Sequence, residues 1–286
     1  MKGVLLLAHG TPDSLDQMPE YLARVRGGRP PTPELVAEMR HNYAAIGGRS
    51  PLTDITRAQA EALHELLEIP VYFGMRNWFP LIGEVLPRAR AEGVEELVAI
   101  PLAPQYSTLS VGKYQEAVLK ATPGDLRVRF VESWHEHPLL LDAFALKLRQ
   151  ALEKGPPDIV VFTAHSLPER VVSEGDPYPD HVAATARGVA SRAGLGSYRL
   201  AYQSAGRTAE PWLGPSLAEC LSALAEEGAR SALIAPVGFV CDHTEILFDI
   251  DVQAASLASA KGLKLTRTES LNTEPLFIRA LAELAR

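Results

Sequence analysis

Two stretches of the chain read almost alike: Leu6-Leu7-Ala8-His9-Gly10-Thr11-Pro12 near the start and Phe162-Thr163-Ala164-His165-Ser166-Leu167-Pro168 just past the middle. Each is an apolar run that stops at Ala-His and reaches a proline shortly afterwards, the pattern of a buried parallel strand ending in a loop that bears a polar side chain. The likeness continues. Glu132-Ser133 followed by Pro138-Leu139 returns as Glu269-Ser270 followed by Pro275-Leu276 at one constant offset, and Glu92–Pro101 aligns with Glu227–Pro236. Three matches in the same order mark an internal duplication. The fold must therefore be one that two similar halves build together, with His9 and His165 at equivalent strand ends facing each other across a cleft.

Short apolar runs predict strands at Gly3–Ala8, Val71–Gly74, Glu96–Pro101 and Val128–Val131, and again at Ile159–Ala164, Tyr198–Tyr202, Ala232–Pro236 and Lys264–Thr268. Helical patterns such as Ala58–Leu67, Gly83–Ala91, Ala183–Ala193 and Ser216–Glu226 separate most of them. Strands alternating with helices give a parallel sheet covered on both faces, so the fold class is α/β with two Rossmann-like domains, each a four-stranded parallel sheet flanked by helices. The repeat places the first domain at residues 1–135 and the second at 136–273, with the last helix, about 274–286, expected to pack back on the first domain. Ligands of such sheets sit at the carboxyl ends of the strands, where both histidines fall.

Composition narrows the function. At 286 residues, 47% apolar and 22% charged, the chain has ordinary globular usage. A net charge of −7 with no Lys/Arg block argues against nucleic acid as a partner. Cys220 and Cys241 are too few for a four-thiolate metal or iron–sulfur site within one chain and suit a reducing compartment. The amino end is too short in apolar residues for a signal peptide, and no eighteen apolar residues run together. A cytoplasmic protein without a transmembrane segment is expected.

The richest stretch is Pro236-Val237-Gly238-Phe239-Val240-Cys241-Asp242-His243-Thr244-Glu245, leading into Ile246–Gln253. Asp242 with Glu245 three residues later resembles a capping box, which would give Glu245 a structural role. Alternatively Glu245, Asp249 and Gln253 line one helix face, a row of oxygen ligands able to hand on a cation. Asp251 is expected to be solvated. His165 is either a hydrogen-bonded loop residue or, with Glu245, one nitrogen and one oxygen suited to a first-row divalent ion such as Fe²⁺, and able to take a proton. No HExxH or paired Cys/His zinc motif is present, and no GxGxxG, P-loop or nucleophile elbow follows a strand, which removes support for nucleotide and hydrolase chemistry.

Ala164-His165-Ser166-Leu167-Pro168, Gly175-Asp176-Pro177-Tyr178, Tyr202-Gln203-Ser204, Pro211-Trp212-Leu213-Gly214-Pro215, and Pro236–Val240 with Asp242-His243 and Glu245 together resemble ferrochelatases. The first half agrees through Gly10-Thr11-Pro12, Tyr43–Gly48, Ser50-Pro51-Leu52 and Leu102-Ala103-Pro104, so nearly the whole chain is covered in order. The short length and the surroundings of Tyr43 are most similar to the coproporphyrin III ferrochelatases of Gram-positive-type bacteria. The resemblance implies a class II chelatase-like fold and insertion of Fe²⁺ into a porphyrin, coproporphyrin III to coprohaem, in haem biosynthesis. It makes His165 and Glu245 the catalytic and metal-handling pair, with Asp249 on a metal delivery path. His9 becomes an axial metal ligand and porphyrin contact. Arg26, Arg29, Tyr43, Ser50, Arg76, Lys113 and Trp212 are porphyrin-binding candidates, the cations because guanidinium and ammonium groups match propionates. Porphyrin and ferrous iron are the expected partners of a monomer, with no further cofactor and no iron–sulfur cluster.

Three departures stand out. His9 occupies a place where similar enzymes have tyrosine, Gly27 one where a second arginine often stands, and Gln253 that of the last carboxylate, which leaves an outer Mg²⁺ site incomplete. The alternative readings are a protoporphyrin IX ferrochelatase, a sirohydrochlorin cobaltochelatase, and a two-lobed haem or metallophore binder without chemistry.

Overall fold

The two repeated apolar runs are the inner strands of two separate parallel sheets. The structure is a computed structural model that describes residues 1–206 and 208–286. Strand β1 (Lys2–Ala8) lies between β2 (Val71–Met75) and β3 (Glu96–Pro101), with β4 (Arg127–Phe130) beyond β3. The second half repeats the arrangement: β5 (Ile159–His165) lies between β6 (Arg199–Gln203) and β7 (Ser231–Ala235), with β8 (Lys264–Arg267) outside β7. All pairings are parallel, and the sequence-based strands fall on these eight within one or two residues at each end. Leu7 stands opposite Gly74 and Pro101, and His165 opposite Gln203, so the strand ends on which the site depends are aligned.

Alternation along the strands divides the core. Val4 and Leu6 face a shared apolar interior, whereas Leu5 and Leu7 pack outward under the helices Ile82–Ala91 and Val111–Ala121. In the second half Val160 and Phe162 face the same interior, and Val161 packs outward with Leu217, Leu221 and Ile246. Between the sheets lie three helices, Leu52–Leu67, Pro138–Glu153 and Pro275–Leu284, whose Leu63, Leu140, Phe144, Phe277 and Leu281 complete one continuous core. Each of these fully or almost fully buried large side chains is worth about 1.5–3 kcal/mol relative to exposure. The last helix touches both Leu52–Leu67 of the first half and Pro138–Glu153 of the second. The outer strands β4 and β8 place Arg127, Arg129 and Lys264 at the surface, which blunts their free edges.

Helix Leu52–Leu67 starts well before the periodic pattern at Ala58, because Ser50 Oγ accepts the Leu52 N–H at 3.3 Å and Pro51 precedes the first turn. Two further helices, Met18–Val25 and Pro33–Ala45, carry Pro within the first turn, and Thr32 caps the second by accepting the Leu35 N–H. Among the described residues no helix is long and apolar enough to cross a membrane.

Candidate active site

Tight turns bring the strand-end loops together. Gly10, directly after His9, has φ +85°, and a Cβ there would lie 2.8 Å from the Trp78 backbone nitrogen; Gly238 lets its loop press on Ala164, whose Cα a Cβ would meet at 2.6 Å. Both positions need glycine for the loops to close on the strand ends.

In the second half, three side chains converge. His165 is the last residue of β5, and its Nδ1–H donates to the Ser166 carbonyl; His243 Nδ1–H donates to the Cys241 carbonyl at 3.0 Å. A carbonyl can only accept, so in each neutral ring the proton sits on Nδ1 and Nε2 keeps its lone pair. Those two Nε2 atoms lie 3.8 and 3.7 Å from a single oxygen, Glu245 Oε2. The distances exceed direct hydrogen bonds, and a proton taken up on either Nε2 is drawn to the carboxylate. Burial would raise the Glu245 pKa, but His165, His243 and His9 outweigh it and hold the carboxyl down at about 2. Conversely, burial disfavours a proton on His243, while Glu245 and the Cys241 carbonyl raise its pKa overall. Gln203 Nε2, at the end of β6, donates to the Glu245 backbone carbonyl at 2.7 Å and fixes that residue's place. The spacing of three between Asp242 and Glu245 suggested a capping box, and the structure corrects this. His243 precedes the helical turn Thr244–Leu247 without capping it, and Asp242 is engaged elsewhere.

The segment beyond is also not one ordinary helix. A single α turn at Thr244–Leu247 gives way to a π-helix over Asp249–Ala254, marked by Gln253 N–H donating to the Phe248 carbonyl at 2.8 Å, and then to Ala255–Ala260. Ile246, Ile250, Ala254 and Ala258 are all buried at a strict four-residue spacing, and the wider turn keeps that row on the core. The neighbouring row runs from half-buried Glu245 and Asp249 to exposed Gln253. Asp249 accepts a hydrogen bond from Ser204 Oγ, and its pKa is raised to about 6 by burial, with Glu245 adding to the rise. Asp251 pairs with Arg267 at 2.7 and 3.0 Å, so it is an ion-pair partner rather than a merely solvated acid.

The first half supplies the opposite wall. His9 follows β1, with the Asn77 amide nitrogen 3.1 Å from its Nε2 and Tyr21 edge-on at 6.3 Å. Its pKa falls to about 4, first through burial and then through Arg76, while Glu245 raises it and His243 and His165 lower it further. His9 therefore feels the second-half cluster directly and is neutral at pH 7. Arg76 is half-buried above the Tyr114 ring at 5.6 Å, with no carboxylate partner among the described residues. Tyr43, a porphyrin-binding candidate, is 2% exposed; it lies in the wall with Tyr21, Trp78 and Met18, and burial lifts its pKa to about 12.

The other candidates are more dispersed. Arg26 and Arg29 are exposed and lack carboxylate partners among the described residues. Lys113 is exposed and paired with Glu116 at 2.8 Å. Ser50 is buried, and its oxygen serves the helix start described above. Trp212 is half-buried; its indole N–H donates to Thr208 Oγ1 at 2.9 Å, and its ring lies so close to Gly206 that a Cβ there would meet it at 2.6 Å. Cys220 and Cys241 are both buried and free, and burial pushes the Cys241 thiol up to about 12. Among the described residues no three His, Cys, Asp or Glu side chains close into a metal cage.

The family model described as Ferrochelatase matches residues 1–286. The chain belongs to the ferrochelatase family. It is 44% identical to the ferrochelatase of Deinococcus radiodurans over 297 residues, covering 99% of this chain and 94% of that one. It is 38% identical to the coproporphyrin III ferrochelatase of Geobacillus kaustophilus, covering 99% and 94%. Among solved structures, SirB from Bacillus subtilis with Fe³⁺ matches at a TM-score of 0.64 over 100% of this chain and 94% of that one; at 13% identity this speaks to the fold. The two-domain Rossmann-like chelatase architecture thus agrees with the duplication seen in the sequence. In this ferrochelatase, porphyrin and ferrous iron are the substrates. The sequence motifs contain His243, Gln203 and Ser204 without giving them a role, and Asn77 lies outside them; all four are now seen in the site. His243 had a usable signal, its position two residues before Glu245 in a loop leaving a strand; the other three gain meaning only from what they face.

Proposed function

We propose that this ferrochelatase converts coproporphyrin III to coprohaem, with His165, His243 and Glu245 receiving the metal and the pyrrole protons on one face of the macrocycle and His9 standing on the other. The observation that carries the reading is that Glu245 is approached by two lone-pair-bearing imidazoles of its own half while His9, from the other half, responds to its charge. Insertion replaces two pyrrole N–H protons by Fe²⁺, so two protons must leave as two Fe–N bonds to deprotonated nitrogens form. An ionised carboxylate attracts the cation, and an imidazole Nε2 with a free lone pair accepts a proton and passes it to water. His165 is the first acceptor in this scheme, Glu245 holds the positive charge that builds up, and Asp249, able to change protonation near neutral pH, continues the row toward exposed Gln253.

Arg76 supports a substrate rich in carboxylates: a half-buried guanidinium with no carboxylate beside it among the described residues is satisfied by a propionate. Arg26 and Arg29 extend the same preference at the surface, and Trp212 is read as a flank of the macrocycle site. The coproporphyrin III names of relatives at 36–38% identity agree with this choice. The reading takes a monomer acting in the cytoplasm. An anaerobic assay of Fe²⁺ insertion into coproporphyrin III and protoporphyrin IX tests it. Higher kcat/KM with coproporphyrin III is expected, and a preference for protoporphyrin IX would move the assignment to that substrate.

A further inference from the structure

The loop that carries His243 and Glu245 has left the sheet at Ala235, so its position depends on contacts outside the strand ladder. Asp242 is its best-anchored residue. The carboxylate accepts from Ser270 Oγ at 2.7 Å and Asn272 Nδ2 at 3.0 Å and lies 3.2 Å from the Arg267 guanidinium, while the Asp242 N–H donates to Asn272 Oδ1 at 2.9 Å. One amide therefore grips both the backbone and the side chain of Asp242. Its orientation follows from chemistry, because only the oxygen accepts an N–H and only the nitrogen donates to a carboxylate.

The backbone of Asn272 is occupied as well. Its N–H donates to the Val240 carbonyl at 3.0 Å, and its carbonyl accepts Gln59 Nε2 at 2.8 Å. Gln59 is fully buried on helix Leu52–Leu67, which belongs to the first half and packs on its sheet. Asn272 adopts φ +45°, a left-handed conformation that asparagine tolerates better than most residues. A single residue on the returning crossover thus ties the first half to the loop bearing His243 and Glu245.

We infer that Asn272 is a positioning residue for metal insertion: by holding Asp242 against the first-half helix it sets where His243 and Glu245 stand relative to the His9 wall. The inference rests on the reading that this cluster handles metal and protons. Asn272 itself makes no substrate contact in this scheme. Small displacements of such groups cost rate rather than substrate affinity, because the reacting geometry is narrower than the binding geometry.

Asn272→Gly keeps the left-handed backbone accessible and removes only the amide. Asn272→Asp retains an acceptor for the Asp242 N–H but opposes one carboxylate with another. Gln59→Leu cuts the link to the first half and leaves the grip on Asp242. For each full-length variant, kcat, porphyrin KM, porphyrin affinity by fluorescence quenching, and Tm are measured beside wild type and Glu245→Ala. Asn272→Gly should lower kcat about tenfold or more with porphyrin affinity unchanged within about twofold, Asn272→Asp should be slower still, and Gln59→Leu should show a smaller fall in kcat. Wild-type kcat in folded Asn272→Gly and Asn272→Asp, or equal loss of porphyrin affinity and kcat, overturns the inference while Glu245→Ala remains inactive. Full turnover in Glu245→Ala would instead overturn the reading on which it rests.

Discussion

His9 and His165 stand on the same repeated segment, yet their surroundings are opposite in charge. Around His165 are Glu245, His243 and Asp249, a proton-accepting, cation-attracting set. Around His9 are Arg76, Asn77 and the buried tyrosines Tyr21 and Tyr43, and the carboxylate that influences its pKa is Glu245, from across the cleft. Duplication fixed where the two imidazoles stand; the loops that follow the neighbouring strands decided what each can do. The resulting field runs from a cationic wall to an anionic one, which suits a substrate that is anionic at its rim and must receive a cation at its centre.

The contrast can be broken in several places. The largest effect is expected for His165→Ala: insertion should fall by about 100-fold or more, the range typical of a lost proton acceptor, with porphyrin binding retained in fluorescence titrations. Near-normal turnover would remove the second-half wall from the chemistry. If Arg76 binds a propionate in ground and transition state alike, as proposed, Arg76→Gln should raise the coproporphyrin KM about tenfold while changing kcat little. A loss confined to kcat would place Arg76 in the reaction itself.

His9→Tyr should retain turnover within a few-fold of wild type yet shift the absorption spectrum of bound iron porphyrin; an unchanged spectrum would take His9 away from the iron. The smallest effect is in stability. The His9 pKa is lowered in the folded chain from 6.5 to about 4, so between those values the unfolded chain binds more protons and stability falls as pH falls. Glu245, lowered from 4.5 to about 2, adds the same sign at lower pH: its contribution is whole above 4.5 and is lost on acidification toward 2. Thermal scans of His9→Tyr should show a flatter Tm between pH 6.5 and 4 than wild type, and those of Glu245→Gln a flatter Tm below 4.5. Parallel curves would refute the burial assigned to His9 or the hold of the histidines on the Glu245 carboxyl.

The strands were legible because a parallel strand covered on both faces must be apolar throughout, as Val4–Leu7 and Val160–Phe162 are. His165 and Glu245 were legible as members of motifs with a recognisable order. The early start of the helix at Leu52 was not, since it depends on Ser50 and Pro51 rather than on periodicity. Nor was the π-helix at Asp249–Ala254, because its cause is the buried row Ile246, Ile250, Ala254 and Ala258 fitting against the sheet. The role of Asp242 was misread for a related reason: its partners Ser270 and Asn272 lie far along the chain.

By itself, the sequence determined the duplicated α/β architecture, the two strand-end histidines and the ferrochelatase motifs, because these are local patterns repeated at fixed spacing. Only the tertiary structure decided that His165 and His243 turn their Nε2 atoms toward one carboxylate, that Arg76 has no carboxylate partner among the described residues, and that Asn272 ties Gln59 of one half to Asp242 of the other. These facts depend on which remote parts of the chain come together, and that is set by how the two halves pack around one shared core.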